Sequence, residues 1–398
     1  MKTLYYHQPH TLLNRALRLL QTIIQRKGIL SLFTTLTILL LPLSVQVQTS
    51  NKILINSGWE MQDAAIISKE GMKAGWEMEN AAKVPQEGKV ISTTKYKPSG
   101  WYKATVPGTV LTTLVNNGVY PEPLYGENNR PEVIPEYLCH TDWWYRNEVM
   151  IPDSYKNKTI WLNFDGINYS ADIWVNGHRV GPIKGAFIRG NFDITSFVKP
   201  GQTAIIAVRI SPQPNTGVPF EHIMGTVGGP CGGVGRLDGP TFGCSNGWDW
   251  LSGIRDRNSG IWQDVFLSAT GHVLMKDPLI TSDLPLPRTD IASVTVQTTV
   301  QNTTGNVQKG IIKGSFDSIK FEKTIEIAPW RSLTFTFDPK DFAQLNIKNP
   351  KLWWPNGLGE QNLYSMHLSF EIDGKISDEK EVTFGIREIS YDIPGSDN

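Results

Sequence analysis

The stretch richest in groups that could bind a ligand is CSNGWDWLSGIRDRNSGIWQDV, residues 244–265. It places Trp248, Asp249 and Trp250 in succession, ahead of the charged run RDRNSG at 255–260. Aromatic planes pack against the C–H faces of a sugar ring, and each charged hydrogen bond to a hydroxyl contributes roughly 1.5–3 kcal/mol gross. Two interpretations stay open on the residues alone. Either this is a loop that touches a sugar, or it is a folding corner in which Asp249 accepts backbone N–H groups.

Other kinds of chemistry find little support. The glycine-rich stretch GTVGGPCGGVGRLDGPTFG (225–243) has no Gly-Lys-Ser/Thr and no following helix, so it does not predict a phosphate loop. No histidine lies in a nucleophile-elbow or HExxH context, and no cysteine pair has CxxC spacing. We therefore predict no cofactor and no metal site.

Composition and charge narrow the class of protein. With 398 residues the chain is long enough for two or three domains. Lys+Arg and Asp+Glu are both 38, which argues against a general nucleic-acid or anionic-membrane surface. The cysteines are Cys139, Cys231 and Cys244, and a Cys231–Cys244 disulfide and three unpaired thiols both remain open.

The first fifty residues are typical of an export signal. Arg15, Arg18, Arg26 and Lys27 precede the apolar run GILSLFTTLTILLLPLSV at 28–45. This order predicts a secretory signal peptide, with an uncleaved N-terminal anchor as the alternative. In either case we expect the remainder to be periplasmic, cell-surface or secreted, with no membrane contact beyond the leader.

The rest of the chain has the short strands and turn signals that are typical of an all-β protein. Short apolar or alternating runs at 159–167, 171–177, 203–211 and 261–269 are separated by turn signals such as Asn176-Gly177. One short helix is predicted within 106–123, ending at Asn117-Gly118. From 291 onwards, six or seven strands at near-regular spacing predict an immunoglobulin-like sandwich. No α/β alternation appears, so neither a TIM barrel nor a Rossmann unit is expected within the chain.

The predicted domain organisation follows from these patterns. Residues 1–50 form the leader, 51–274 a larger β-sandwich, 275–290 a proline-containing linker, 291–393 the immunoglobulin-like sandwich and 394–398 a tail.

Several motifs together resemble the N-terminal region of family 2 glycoside hydrolases, a group that includes β-galactosidases, β-glucuronidases and β-mannosidases. The motifs are WWYRNEVMIP (143–152), IWLNFDGINYSADIWVNGHRVG (160–181), GNFDITSFVKPG (190–201), SGIWQDVFL (259–267), NPKLWWPNGLGEQNLYSMHLSFE (349–371) and FGIREISY (384–391). Within that family, GWDWLSGIRDRNSGIWQDV (247–265) resembles the exo-β-D-glucosaminidase and endo-β-mannosidase branch, with Ser259 where the branch has Thr. Ordinary β-mannosidases rank second. YPEPLYGENNRPE (120–132) also matches a segment of the family.

The resemblance implies a fold and a site. It implies a jelly-roll-type, galactose-binding-like sandwich followed by an immunoglobulin-like sandwich. Asp249 is then expected to contact hydroxyls of the terminal sugar of a β-linked substrate, with Trp248, Trp250 and Asn128 nearby.

The family's two catalytic glutamates lie in a TIM barrel that follows the immunoglobulin-like domain. This chain stops where that barrel would begin, so we expect no catalytic residue here and no activity from the chain alone. The expected partners are the sugar and such a barrel. The alternative is a stand-alone carbohydrate-binding module, or a docking partner of a separate catalytic barrel.

Overall fold

A computed structural model describes residues 52–73, 83–130, 132–214, 216 and 254–390. The predicted leader, Cys231, Cys244 and Trp248–Trp250 lie outside these ranges. Across the described ranges, no helix combines the length and the apolar character needed to cross a membrane.

The first domain is a β-sandwich of two antiparallel sheets. Its strands are β1 (Lys52–Leu54), β2 (Glu60–Asp63), β3 (Tyr102–Lys103), β4 (Trp143–Met150), β5 (Thr159–Phe164), β6 (Ser170–Val175), β7 (His178–Lys184), β8 (Gly190–Asp193), β9 (Thr203–Ser211) and β10 (Val265–Thr270). One sheet has the order β1-β10-β5-β8 and the other β3-β2-β4-β9-β6-β7. Side chains from both sheets, such as Tyr145 and Leu162, are fully buried between them and form the main core.

Within the described ranges, three α-helices accompany these strands: α1 (Ala64–Lys73), α2 (Lys83–Ile91) and α3 (Val110–Asn116). The helix predicted within 106–123 is confirmed as α3. The Thr109 side chain caps its first turn by accepting the Thr112 N–H, and Asn117 ends it before Gly118, whose φ is +72°.

Helices α1 and α2 were not expected from the sequence. Proline at 85 and glycine at 88 lie inside α2, which lowers its intrinsic helix propensity. Packing explains the glycine, because a Cβ at Gly88 would lie 2.2 Å from a ring atom of Trp174. Ile67 of α1 and Ile91 of α2 join Trp174 in a second buried cluster, so both helices are stabilised by tertiary contact.

The predicted Asn176-Gly177 hairpin is confirmed between β6 and β7. Both turn residues have positive φ, 49° and 86°, as a two-residue type I′ turn requires.

The second domain is the predicted immunoglobulin-like sandwich. Its strands are β11 (Val273–Asp283), β12 (Ile291–Asn302), β13 (Gln308–Phe316), β14 (Ile319–Ile327), β15 (Ser332–Phe337), β16 (Asn346–Lys348), β17 (Tyr364–Ile372) and β18 (Lys375–Phe384). One sheet has the order β11-β12-β15, with β16 also pairing with β12, and the other β14-β13-β17-β18. Alternate residues of β12 are buried in a separate core. The expected all-β architecture of two successive sandwiches is thus confirmed.

The structure differs from the sequence prediction over the expected linker at 275–290. Strand β11 runs through residues 273–283 and pairs with β12. Pro278 is accommodated because the register shifts between Lys276 and Leu279, a bulge at which Asp277 has a φ of 45°. A proline in such a bulge removes no ladder hydrogen bond, so the strand continues through it.

Candidate functional site

The structure describes both ends of the segment that carries the expected sugar contacts. Trp248, Asp249 and Trp250 themselves lie outside the described residues. The two ends are joined directly, because Arg257 Nε donates a hydrogen bond to the carbonyl oxygen of Thr216 at 2.7 Å. The described residues on either side of the 217–253 segment are therefore held side by side.

A buried charge cluster holds the C-terminal end of that segment. Glu136 Oε1 accepts from Arg255 Nη1 at 2.8 Å, and Glu136 Oε2 accepts from Arg257 Nη2 at 2.7 Å. The side chains of Arg255 and Arg257 are 1% and 7% exposed, and that of Glu136 is 14% exposed. We call Glu136, Arg255 and Arg257 the Glu136 clamp.

Backbone carbonyls take the other donors of the clamp. Arg255 Nε donates to the Asn129 carbonyl at 2.8 Å, and its Nη2 also contacts that oxygen. Arg257 Nη1 donates to the Ile254 carbonyl at 2.7 Å. Because the guanidinium groups are buried and hydrogen-bonded, they fix the corner and are not available to a sugar. The side chains of Arg255 and Arg257 therefore stabilise the fold at this corner, and the choice between the two interpretations of Asp249 stays open.

Asp256 connects the corner to α3. Its Oδ2 accepts the Leu111 N–H at 2.6 Å in the first turn of the helix, and its Oδ1 accepts the Asn258 N–H at 2.8 Å. Burial raises the pKa of this carboxyl above its usual range, while the hydrogen bonds and the charge of Arg257 oppose that effect. This buried carboxyl thus links two segments that lie far apart in sequence.

Asn168 secures the opposite side of the corner. Its Nδ2 donates to the carbonyls of both Arg257 and Asn258 at 2.9 Å, and its backbone exchanges two hydrogen bonds with Gly260. Arg257 and Asn258 both have left-handed φ values, 51° and 56°. This conformation is unfavourable for non-glycine residues, and the hydrogen bonds from the Asn168 amide stabilise it here.

Asn128 lies close to this corner, and its predicted sugar contact stays a prediction. Its Nδ2 donates to the Glu122 carbonyl at 2.9 Å, and the residue is half-buried. The next residue, Asn129, supplies the carbonyl that binds Arg255. The structure therefore brings the 120–132 segment to the base of the 217–253 segment.

A groove opens where these segments meet α3. It encloses about 210 Å³ and is lined by Thr112 and Asn116 of α3, by Glu122 and Leu124, and by Ile254 and Asn258. Polar and apolar side chains share its walls, as they do in small-molecule sites.

Glu136 of the clamp and two neighbouring residues are of the types that bind metal ions. Glu136, Cys139 and His140 bring one ligand atom each within 4.8 Å of one another. Both oxygens of Glu136 already accept from guanidinium groups, and burial raises the pKa of the Cys139 thiol. A neutral thiol and a paired carboxylate are poor ligands, so this cluster favours a structural role.

Sequence reasoning found the charged run but not its partners. Glu136 precedes Arg255 by 119 positions and Asn168 precedes Asn258 by 90. The density of charge at 255–257 signalled a special segment, but nothing in the local pattern identifies the residues that neutralise it.

Comparison with known proteins adds family relationships to this geometry. The profile described as glycosyl hydrolase 2 galactose-binding domain-like matches residues 76–263, and the profile of glycosyl hydrolases family 2 matches residues 273–387. Together they cover most of both sandwiches.

Individual relatives point to the same family. The chain is 31% identical over 303 residues to an exo-β-D-glucosaminidase of Streptomyces avermitilis, which covers 75% of this chain and 30% of that protein. It is 33% identical over 329 residues to a mannosylglycoprotein endo-β-mannosidase of Lilium longiflorum, covering 76% and 32%. The crystal structure of the exo-chitosanase of Amycolatopsis orientalis superposes with a TM-score of 0.67 at 25% identity, covering 87% of this chain and 35% of that one. The chain thus spans about a third of the length of these relatives.

Proposed function

The chain belongs to family 2 of the glycosyl hydrolases, and we propose that it is the N-terminal, non-catalytic part of an exported β-glycosidase. The reaction of the whole protein is hydrolysis of O-glycosyl bonds, of the exo-β-D-glucosaminidase or β-mannosidase type. In this proposal the 217–253 segment supplies one wall of the sugar pocket. A catalytic barrel supplies the acid/base and the nucleophile, and the chain alone hydrolyses nothing.

The observation that carries the proposal is the contact between the residues that flank the 217–253 segment, Thr216 and Arg257, next to the Glu136 clamp. The hydrogen bond from Arg257 to Thr216 ties the two ends together, and the buried ion pairs fix Arg257 in place. A pocket wall must hold its polar groups within a fraction of an ångström to bind a sugar productively. A segment carried on a buried, fully hydrogen-bonded base meets that requirement better than one on a free turn.

Each expected contact has a chemical role in this proposal. The Asp249 carboxylate accepts hydrogen bonds from hydroxyls of the terminal sugar, and Trp248 and Trp250 pack against its C–H faces. Asn128 contributes an amide from the neighbouring segment. The similarity to an exo-β-D-glucosaminidase and an endo-β-mannosidase supports β-linked glucosamine or mannose as the sugar.

Hydrolysis of 4-nitrophenyl β-D-glucosaminide and β-D-mannoside tests the proposal. The assay compares this chain alone with the complete glycosidase that contains it. We expect activity only from the complete protein. Asp249→Asn in that protein should lower kcat/KM about 100-fold, since a charged hydrogen bond contributes about 1.5–3 kcal/mol and tenfold corresponds to about 1.4 kcal/mol. The matched control is Asp373→Asn, in the exposed turn between β17 and β18.

Two results would contradict the proposal. Hydrolysis of either substrate by the chain alone would place catalytic groups within it. Equal kcat/KM for the Asp249 and Asp373 variants would remove Asp249 from the sugar pocket. Export is tested separately by determining the N-terminal residue of the mature protein, which we expect to follow the apolar run at 28–45.

A further inference from the structure

An apolar pocket of about 190 Å³ lies at one end of the second sandwich. Three segments meet there: the connection between β11 and β12, the segment between β16 and β17, and the residues that follow β18. Its apolar walls come from Leu284, Leu286, Trp353, Trp354, Leu358 and Ile389. We call it the Leu358 pocket.

Large apolar side chains are exposed around this pocket. Leu358 is 71% exposed, Ile389 58% and Trp354 42%. Single exposed apolar residues are ordinary on a protein surface, but a contiguous group of them around a concave site marks an interaction surface.

The first sandwich joins the second one at the other end of β11. There the Gly271 N–H donates to the Ser377 carbonyl at 2.7 Å, just before the strand begins. Leu284, in the wall of the pocket, follows the last residue of the same strand. At about 3.3 Å per residue, the strand separates the two places by roughly 30 Å. The junction between the sandwiches therefore leaves the pocket uncovered.

Contacts within the second sandwich hold the walls of the pocket in place. The Trp354 ring packs against Gly359, where a Cβ would lie 2.6 Å from a ring atom. The Arg387 guanidinium lies 5.0 Å from the centroid of the Trp353 ring. Ser282 Oγ donates to the Arg387 carbonyl at 2.9 Å, which ties the segment after β18 to the end of β11. An apolar surface that is already ordered loses little conformational entropy when a partner covers it.

The charged groups of the lining point to an apolar partner. Among the described residues that border the pocket, these groups are Arg387 and Glu388. Arg387 contacts the Trp353 ring, and Glu388 Oε2 accepts the Leu284 N–H at 3.4 Å. Both are engaged with the pocket's own walls, so the site suits the apolar side chain of a protein partner, of the kind that anchors an interface.

We propose that the Leu358 pocket receives an apolar face of the catalytic barrel in the complete glycosidase. The inference rests on the proposed function and adds to it the surface at which the two parts meet. This chain spans about a third of the length of its relatives. Asn398 lies nine positions after Ile389, and a chain spans at most about 3.6 Å per residue, so a domain that follows begins within about 32 Å of the pocket. So short a connection gives the barrel a high effective concentration at this surface, and a modest contact suffices to hold it.

Hydroxyl-radical footprinting, read residue by residue by mass spectrometry, tests the inference. The Trp354 ring should be labelled about fivefold less in the complete glycosidase than in this chain alone, because the core of an interface excludes solvent. Trp330 is the internal control, since it is a 68% exposed ring in the turn between β14 and β15. Its labelling should be the same in both proteins.

A pair of variants shows whether the pocket itself is responsible. Leu358→Asp places a charge in the pocket and should restore the labelling of Trp354 in the complete protein. The matched control is Val307→Asp, because Val307 is 59% exposed between β12 and β13, far from the pocket lining. That variant should leave Trp354 protected. Both positions are exposed, so both variants of this chain alone should keep the thermal unfolding midpoint of the parent.

The outcomes separate this inference from the proposed function. Equal labelling of Trp354 in this chain and in the complete glycosidase overturns the docking surface and leaves the proposed function standing. Hydrolysis by the chain alone contradicts the proposed function, whatever the labelling of Trp354. If sedimentation velocity shows that the chain alone self-associates and that Leu358→Asp abolishes this, the pocket belongs to a contact between two copies, and the inference is wrong.

Discussion

Replacing Glu136 with glutamine should strongly destabilise the first sandwich. Glu136→Gln keeps the shape of the side chain but removes the negative charge that faces Arg255 and Arg257. The buried guanidinium of Arg257 would then keep Asp256 as a nearby opposite charge. The amide of glutamine has one accepting oxygen where the carboxylate has two, so one guanidinium also loses one of its acceptors.

The magnitude follows from the burial of the partners. Removing one member of a buried ion pair costs about 3–5 kcal/mol, because the remaining charge is left desolvated. Glu136 is 14% exposed and Asp256 partly compensates, so we take the lower end, about 3 kcal/mol. With an m-value of about 3 kcal/mol/M for a domain of this size, the urea midpoint falls by about 1 M.

Urea unfolding followed by tryptophan fluorescence measures this change. The two sandwiches have separate cores, so two transitions are expected, and only that of the first sandwich should move. The matched control is Glu127→Gln, because Glu127 pairs with Arg130 on the surface with side chains 73% and 55% exposed. Exposed pairs contribute about 0–1 kcal/mol, so this variant should unfold almost like the parent.

Equal midpoints for Glu136→Gln and Glu127→Gln would refute the reasoning. The clamp would then be a pair of ion contacts without net effect, and the 217–253 segment would lack the fixed base on which the proposed sugar pocket depends.

Two further predictions concern the same sandwich. Gly88→Ala should lower the free energy of unfolding by about 1–3 kcal/mol, because the new Cβ meets the Trp174 ring at 2.2 Å, although glycine-to-alanine changes inside helices ordinarily stabilise. A gain in stability, or the same small effect as Lys89→Ala on the exposed side of the helix, contradicts it. Burial raises the pKa of Tyr155 to about 12, so the folded state keeps a proton that the unfolded state loses, and stability falls as pH rises from 10 to 12. Urea midpoints across that range should fall less steeply for Tyr155→Phe than for the parent or for the exposed control Tyr125→Phe, and parallel curves would disprove the shift.

Local signals predicted the parts of the fold that depend on local geometry. Asn176-Gly177 predicted its hairpin because few other residue pairs adopt positive φ twice in succession. The regular spacing of strands from 291 onwards predicted an immunoglobulin-like sandwich, and the structure begins that series with β12, whose alternate residues are buried. In both cases the determining interaction lies within a few positions of the residue that signals it.

Elements held by distant contacts were not predictable in the same way. Helix α2 contains proline and glycine, and it forms because the side with Gly88 packs closely against the Trp174 ring. Strand β11 continues through Pro278 because β12 supplies the ladder on either side of a bulge. The linker was predicted from its prolines, because the sequence does not show that β12 pairs with this segment.

The candidate site depends on distant contacts in the same manner. The 244–265 stretch was recognisable by its density of rings and charges. Its charged residues from 255 onwards build the corner, and they do so through Glu136 and Asn168, which lie more than eighty positions earlier in the chain. A local pattern could show that the segment is unusual without showing that these charges serve the fold.

The fixed corner limits where the expected sugar contacts can lie. Asp249 precedes Ile254 by five residues, and an extended chain spans at most about 3.6 Å per residue, so the two Cα atoms are within about 18 Å of each other. Ile254 borders the groove between α3 and the 120–132 segment, and its carbonyl is held by Arg257 at 2.7 Å. Because Glu136 fixes Arg257, the position of the Ile254 carbonyl is fixed as well. We therefore propose that a sugar that contacts Asp249 binds at the end of the sandwich where Ile254 and Asn128 lie, so that the two segments act on the same ligand.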